Sequence, residues 1–221
     1  MTFSLTITLD QTAVSNINAA GQAITLAQSV TAIAESAADG ISSRDSTAAT
    51  AIAWLAFSPF EKNTVSWGGD LGLYATTTPL DPGSVLAINS HTAEQNPIQL
   101  GFVYTFANNV FTSAAGTGDA YVVDNQESQQ QGAFSFGLLS TATVNSSPST
   151  GPLDALPMLS NQDGFFYPPT AVYIFLSSAS QNGTVLPVIP SGALELDLTS
   201  GSLDAEVCFN DTTNEFFVCS N

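Results

Sequence analysis

Apolar and polar residues alternate along much of this chain. In residues 3–9 (FSLTITL) every second residue is apolar. This two-residue period is typical of a strand with one buried face and one solvated face. Glycine, proline, asparagine and aspartate recur at short intervals between such runs. Many short strands separated by regularly spaced turns predict an all-β protein, an antiparallel β-sandwich of about a dozen strands.

One segment near the N-terminus has a helical period instead. Val14 and Ile17 are three residues apart, with Asp10 or Thr12 available as N-cap and Gly21 available just after the last turn. Side chains at this spacing share one helix face, and these residue types are favoured at helix ends. The sequence therefore predicts one short N-terminal helix that covers one end of the sandwich.

Two further segments differ from the alternating runs. Residues 51–57 (AIAWLAF) are apolar at both parities, which predicts a central strand that is covered on both faces. Pro168 and Pro169 have no backbone N–H to donate to a sheet, so we expect a loop or an edge there.

Composition narrows the class of protein. The chain has 221 residues, a length that suits a single β-sandwich domain over residues 1–221 or two closely packed halves. Only two cations, Arg44 and Lys62, stand against 19 carboxylates, so the net charge is −17. A nucleic acid or an anionic membrane requires clustered cations, and both partners are therefore excluded. We find no signal peptide and no membrane-spanning apolar stretch, which predicts a cytoplasmic location.

Two features bear on covalent modification. Cys208 and Cys219 flank a predicted turn, and a disulfide is feasible if the flanking strands pair tightly. A cytoplasmic location favours two reduced thiols instead. Asn145, Asn182 and Asn210 each begin an N-glycosylation triplet, although such triplets also arise by chance in a chain rich in Ser, Thr and Asn.

Catalytic motifs are absent from the sequence. It contains no Gly-x-Ser-x-Gly, phosphate-binding loop, HExxH or EF-hand pattern. His91 is the only histidine, and its polar neighbours predict a solvated loop; ligand contact and general-base catalysis are the alternatives. A carboxylate pair of the glycosidase type leaves no motif. On balance we predict a protein that is not an enzyme.

Four acids near the C-terminus form a candidate metal site. If Ser200 and Gly201 make a two-residue hairpin turn, Asp197 faces Asp204 and Glu195 faces Glu206. Adjacent like charges destabilise a sheet, so either a divalent cation such as Ca²⁺ binds this face or the carboxylates are solvated. The solvated alternative also protects the face from pairing with other strands.

Aromatic residues supply candidate ligand contacts. Trp67 and Tyr74 flank a predicted turn at residues 68–70 (GGD), where missing side chains let a ligand approach the backbone. Each ring also has a polar atom that can fix the orientation of a ligand. The alternative is that both are ordinary core residues. Tyr104 and Tyr173 are second candidates by the same argument.

Several of these segments resemble a known group of proteins. Residues 53–67 (AWLAFSPFEKNTVSW), 73–77 (LYATT), 3–11 (FSLTITLDQ) and 172–178 (VYIFLSS) are similar to small acidic proteins of mushroom fruiting bodies, the pink chromoprotein group of oyster mushrooms. The resemblance implies a non-enzymatic pigment protein that binds a small chromophore of the indolone type, with or without metal ions. It supplies no residue-level binding pattern.

Three functions therefore compete. Binding of a small aromatic pigment follows from the resemblance. A carbohydrate-binding, lectin-like protein follows from the β-sandwich and the exposed Trp, Tyr, Asn and Asp that we expect on it. A pore-forming protein has only the β-rich composition in its favour, and the scarcity of cations argues against it. A homodimer is compatible with each of them.

Overall fold

The protein is all-β with a single helix in the residues that the computed structural model describes, 2–36, 50–92, 97–128, 133–179 and 181–219. Arg44 lies outside these residues. The helix, α1, spans Gln11–Ala19. The described strands number nineteen, more than predicted: β1 (Thr2–Thr8), β2 (Ala23–Gln28), β3 (Ala32–Ser36), β4 (Thr50–Ala53), β5 (Leu55–Phe57), β6 (Lys62–Thr76), β7 (Ser90–His91), β8 (Phe102–Ala107), β9 (Val110–Ala115), β10 (Tyr121–Asn125), β11 (Phe134–Val144), β12 (Ser147–Pro152), β13 (Asp154–Met158), β14 (Gln162–Phe166), β15 (Ala171–Ser177), β16 (Thr184–Val185), β17 (Leu194–Asp197), β18 (Ser202–Asn210) and β19 (Glu215–Val218).

The strands form three sheets. The first sheet has ten strands in the order β16-β4-β13-β11-β6-β1-β18-β19, with β12 also paired to β11 and β7 also paired to β6. The second sheet has the order β3-β14-β10-β8-β9, and the third has the order β17-β15-β2-β5. Most pairs are antiparallel, but β1 runs parallel to β18 and β8 runs parallel to β10.

The start of the chain folds as its pattern predicts. Phe3, Leu5 and Ile7 on β1 are buried while the residues between them are partly exposed. Helix α1 has Asp10 as its N-cap, and the Asp10 carboxylate accepts a hydrogen bond from the Ala13 N–H at 2.7 Å. This bond satisfies one of the N–H groups that a helix leaves unpaired at its start. Gly21, just after the helix, has φ +65°.

The predicted central strand is two strands instead of one. Segments β4 and β5 are separated at Trp54, and β4 joins the first sheet while β5 joins the third. The Trp54 side chain is fully buried, and its indole N–H donates to the Ser140 carbonyl oxygen at 3.0 Å. This segment is covered on both sides, as its composition indicates, because the chain passes from one sheet to another within it. The prolines at 168 and 169 lie in the loop between β14 and β15, as predicted.

One buried cluster draws on all three sheets. Phe136 from the first sheet packs against Phe106 from the second, with ring centroids 5.2 Å apart, and Ile174 of the third sheet belongs to the same cluster. Within the described residues, no helix is long and apolar enough to cross a membrane.

The predicted acidic hairpin is wrong. Strand β17 pairs with β15 in the third sheet, and β18 pairs with β1 and β19 in the first sheet. The Asp197 carboxylate accepts hydrogen bonds from the N–H and the hydroxyl of Thr199, at 2.8 and 2.9 Å. This local turn directs the chain from one sheet to the other, so it is not the tight hairpin turn that the sequence suggests.

The two cysteines form a disulfide. Cys208 and Cys219 are joined, with their Cα atoms 5.3 Å apart, which corrects the expectation of two reduced thiols. The residue directly opposite Cys208 across β18 and β19 is Phe217, so the disulfide joins residues that are not directly paired. A disulfide is typical of proteins in an oxidising compartment.

Candidate functional site

A cleft lies between the first and second sheets where β7 approaches β8 and β9. It consists of two cavities that share His91, Thr92 and Pro97 in their walls. The larger cavity has a volume of about 590 Å³, and the smaller has a volume of about 340 Å³. Ligand sites in proteins have volumes of this order, and they combine aromatic walls with a few polar groups.

His91 is held in the cleft by the backbone. Strand β7 places His91 opposite Tyr74 of β6. The next residue, Thr92, donates its N–H to the Leu73 carbonyl oxygen at 2.9 Å and accepts the Leu73 N–H on its hydroxyl at 3.0 Å. These bonds fix the short segment against β6 and present the His91 ring to both cavities.

The polar atoms of His91 and Tyr104 have defined roles in the larger cavity. His91 Nδ1 lies 2.9 Å from the Thr92 carbonyl oxygen, which only accepts, so Nδ1 carries the proton of the neutral ring. The other ring nitrogen, Nε2, is then an acceptor. The Tyr104 hydroxyl accepts the Gln99 N–H at 2.8 Å and retains its own proton to donate. Together with Phe102 and Phe111, these two residues give the cavity aromatic walls, an acceptor and a donor.

A large bulge in β6 builds the wall of the smaller cavity. Strand β6 runs through residues 68–70, so the predicted turn there is wrong. Against β11, Trp67 pairs with Ala142 and Leu71 pairs with Ser140, which leaves three residues of β6 opposite one. Glycine in a strand favours such a bulge. The bulge brings the exposed Asp70 into the cavity wall. Burial raises the pKa of Tyr121, and the nearby Tyr104 and Asp70 raise it further.

Two of the predicted ligand residues line the cleft, and two others are buried in the core. His91 and Tyr104 line the same cavity. Trp67 is 5% exposed and stacks on Phe3 with ring centroids 5.2 Å apart, while its edge meets Trp54. Tyr74 is fully buried, and its hydroxyl donates to the Asp154 carbonyl oxygen. Both placements agree with the alternative that these two are core residues.

Tyr173 lies away from the cleft. It sits on β15 opposite Ala27 and Glu195, half-buried in the third sheet. The sequence singles out neither Phe102 nor Phe111 as a ligand contact. Their alternation along β8 and β9 indicates a sheet, but it gives no signal of which partner faces them.

The predicted metal site is not assembled. Glu195 and Asp197 belong to the third sheet, and Asp204 and Glu206 belong to the first. Hydrogen bonds from the N–H and the hydroxyl of Thr199 lower the pKa of Asp197. Across residues 2–36, 50–92, 97–128, 133–179 and 181–219, no group of three or more His, Cys, Asp or Glu side chains could hold a metal ion.

A different acidic row crosses the second sheet. Asp163 on β14 lies directly opposite Asp124 of β10 on one side and Glu35 of β3 on the other. Burial is the largest cause that raises the pKa of Asp163, and the charges of Asp124 and Glu35 raise it further. The sequence gives no sign of this row, because its members are far apart along the chain.

Replacing Asp163 with asparagine is expected to stabilise the protein. Like charges opposite each other on neighbouring strands cost about 0.2–1 kcal/mol, and the substitution removes the middle charge of three. Urea unfolding at low salt should show a higher midpoint than wild type, and the gain should shrink at high salt. Glu206→Gln removes one exposed acid elsewhere and serves as the matched control. An equal gain in both variants would contradict the argument from the row.

A buried carboxyl group, that of Asp154, lies outside the cleft. Asp154 on β13 is 2% exposed, and its Oδ1 accepts the Leu138 N–H at 2.9 Å. Its Oδ2 is buried and has no hydrogen-bond partner among the residues that the structure describes. Burial raises the pKa of Asp154 to about 7, although the bond from Leu138 opposes the rise. Burial, and secondarily the charge of Asp154, also raise the pKa of Tyr74 well above its ordinary value.

Comparison of the chain with protein-family models, with curated proteins and with solved structures finds no match. The cleft must therefore be interpreted from its own geometry.

Proposed function

We propose that the protein is a non-enzymatic ligand-binding protein that holds a small, flat aromatic molecule in the cleft beside His91 and Tyr104. The observation that carries this proposal is the shared cavity of these two residues, with the rings of Phe102 and Phe111 in its walls. Aromatic walls bind a flat ring by contact area, and a few polar atoms fix its orientation.

A pigment of the indolone type suits the polar atoms of this cavity. Such a molecule has a ring N–H next to a carbonyl group. In the tautomer with the proton on Nδ1, His91 Nε2 is an acceptor for the N–H, and the Tyr104 hydroxyl is a donor for the carbonyl oxygen. The resemblance to the pink chromoprotein group of oyster mushrooms supports the same class of ligand. We therefore propose a pigment protein of a fungal fruiting body.

The lectin alternative has less support. A third cavity, of about 290 Å³, contains Phe60, Asn145 and Asn182. Phe60 is 61% exposed and could stack on a sugar. However, the side-chain amides of both asparagines already accept and donate hydrogen bonds within the protein, which leaves less of their capacity for sugar hydroxyls.

Two measurements test the pigment proposal. Protein purified from its source organism is expected to show an absorbance band in the visible range as well as the aromatic band near 280 nm. Pigment-free protein is expected to bind oxindole, the simplest indolone, with saturation at one molecule per chain in a calorimetric titration. A spectrum without a visible band, together with no saturable heat, would contradict the proposal.

A further inference from the structure

The three N-glycosylation triplets have different environments in the folded chain. The Asn145 side chain accepts the Thr64 N–H at 2.8 Å and donates to Asn63 Oδ1 at 3.4 Å. The Asn182 side chain accepts the Ala56 N–H at 2.9 Å and donates to Ser149 Oγ at 2.8 Å. The Asn182 nitrogen also donates to the Thr150 carbonyl oxygen at 3.5 Å, so both of its hydrogens are used and a sugar there would displace one of these groups, whereas the Asn145 nitrogen makes one such bond.

The third residue of the Asn182 triplet, Thr184, is buried and already forms a hydrogen bond. Thr184 is 9% exposed, and its hydroxyl donates to the Gln181 carbonyl oxygen at 2.7 Å. A glycan at Asn182 would have to leave from this packed corner next to β16.

Asn210 differs from both. It is exposed at the end of β18, and Asp211 and Thr212 are exposed with it. The Asn210 side-chain oxygen accepts the N–H groups of Thr212 and Thr213, at 2.9 and 3.3 Å. Its Nδ2 has no hydrogen-bond partner in the described part of the chain, and the residue is exposed to solvent.

The disulfide supplies an independent observation. Cys208 lies on β18 and Cys219 directly follows β19, on either side of this same turn, and the two are joined. Disulfides form and persist in oxidising compartments, which are also where N-glycans are added. We propose that Asn210 is an N-glycosylation site and that the chain matures in an oxidising secretory compartment. This location differs from the cytoplasmic one that the sequence predicts.

The modification is a group transfer from a polyprenyl-diphosphate-linked oligosaccharide. A bond forms between Asn210 Nδ2 and C1 of the first sugar, and the bond between C1 and the phosphate oxygen breaks. The polyprenyl diphosphate leaves with the bonding electrons. The amide nitrogen gives up one proton to a base of the transferring enzyme.

The test is the mass of the full chain secreted from a eukaryotic host behind a cleavable signal peptide. Wild-type protein is expected to carry one glycan that peptide N-glycosidase removes. Thr212→Ala should abolish this mass shift and Thr212→Ser should retain it, while neither changes Asn210 itself. Ser147→Ala, which destroys the Asn145 triplet without touching its amide, should leave the shift unchanged.

Three results would overturn the proposal. They are secreted, folded protein without a glycan, a glycan that persists in Thr212→Ala, and free thiols at Cys208 and Cys219 in protein from the source organism. The melting midpoints of the Thr212 variants should match that of wild type. This control shows that a variant without the glycan is still folded.

Discussion

Replacing Trp67 with alanine is expected to lower the free energy of unfolding by about 3–5 kcal/mol, as for other large buried aromatic residues. The Trp67 ring stacks on Phe3 at an interplanar angle of 21° and meets Trp54 at 73°, so its removal leaves a cavity where three aromatic residues now pack. Urea unfolding monitored by circular dichroism measures the loss.

The same variant separates a core role from a ligand-binding role. Trp67 does not line either cavity of the cleft. The folded Trp67→Ala protein should therefore bind oxindole with the same affinity as folded wild type. Trp67→Phe retains a ring and should lose less stability than the alanine variant. A Trp67→Ala protein that keeps its unfolding midpoint but loses oxindole binding would make Trp67 a ligand platform instead.

Replacing Asp154 with asparagine is expected to change how stability depends on pH. The pKa of Asp154 is about 7 in the folded chain and has a reference value of 3.8, so folding favours the protonated acid. The contribution of Asp154 to the free energy of unfolding is fully present below about pH 4 and is lost as the pH rises to about 7. The difference of about three pKa units corresponds to about 4 kcal/mol.

Asparagine has the shape of aspartate but stays neutral, so its effect depends on pH. Asp154→Asn should be more stable than wild type by up to about 4 kcal/mol at pH 8, and the two proteins should converge near pH 4. The retained side-chain oxygen still accepts the Leu138 N–H. The measurement is urea unfolding of both proteins at several pH values. If the free energy of unfolding changes with pH in the same way in both proteins, Asp154 is not the group that causes the pH dependence.

Local features of the fold could be predicted from the sequence. The alternation in β1, the N-cap Asp10 and the loop at Pro168 each depend on residues within one short segment. Pairing between distant segments could not be predicted in this way. The turn after β17 looks like a hairpin in sequence, yet β18 pairs with β1 at the other end of the chain. That pairing separates the four acids of the predicted metal site.

The candidate site shows the same division. His91 was considered because it is the only histidine, and Tyr104 because of its ring and hydroxyl. Their meeting in one cavity requires the contact between the first and second sheets, which no local pattern encodes. The GGD segment predicts a turn, but it forms a bulge within β6 instead, and this bulge brings Asp70 to the cleft.

The central claim is that the cleft at His91 and Tyr104 binds the ligand. Its most direct test is a calorimetric titration of oxindole into wild type, Tyr104→Phe and Tyr173→Phe. Tyr104→Phe removes the hydroxyl in the cavity wall together with the bond that it accepts from the Gln99 N–H, whereas Tyr173→Phe removes a hydroxyl in the third sheet. We expect Tyr104→Phe to weaken binding by about 5- to 30-fold, the equivalent of a hydrogen bond of about 1–2 kcal/mol, and Tyr173→Phe to bind as wild type does. Equal affinity of all three proteins, or a loss confined to Tyr173→Phe, would contradict the account.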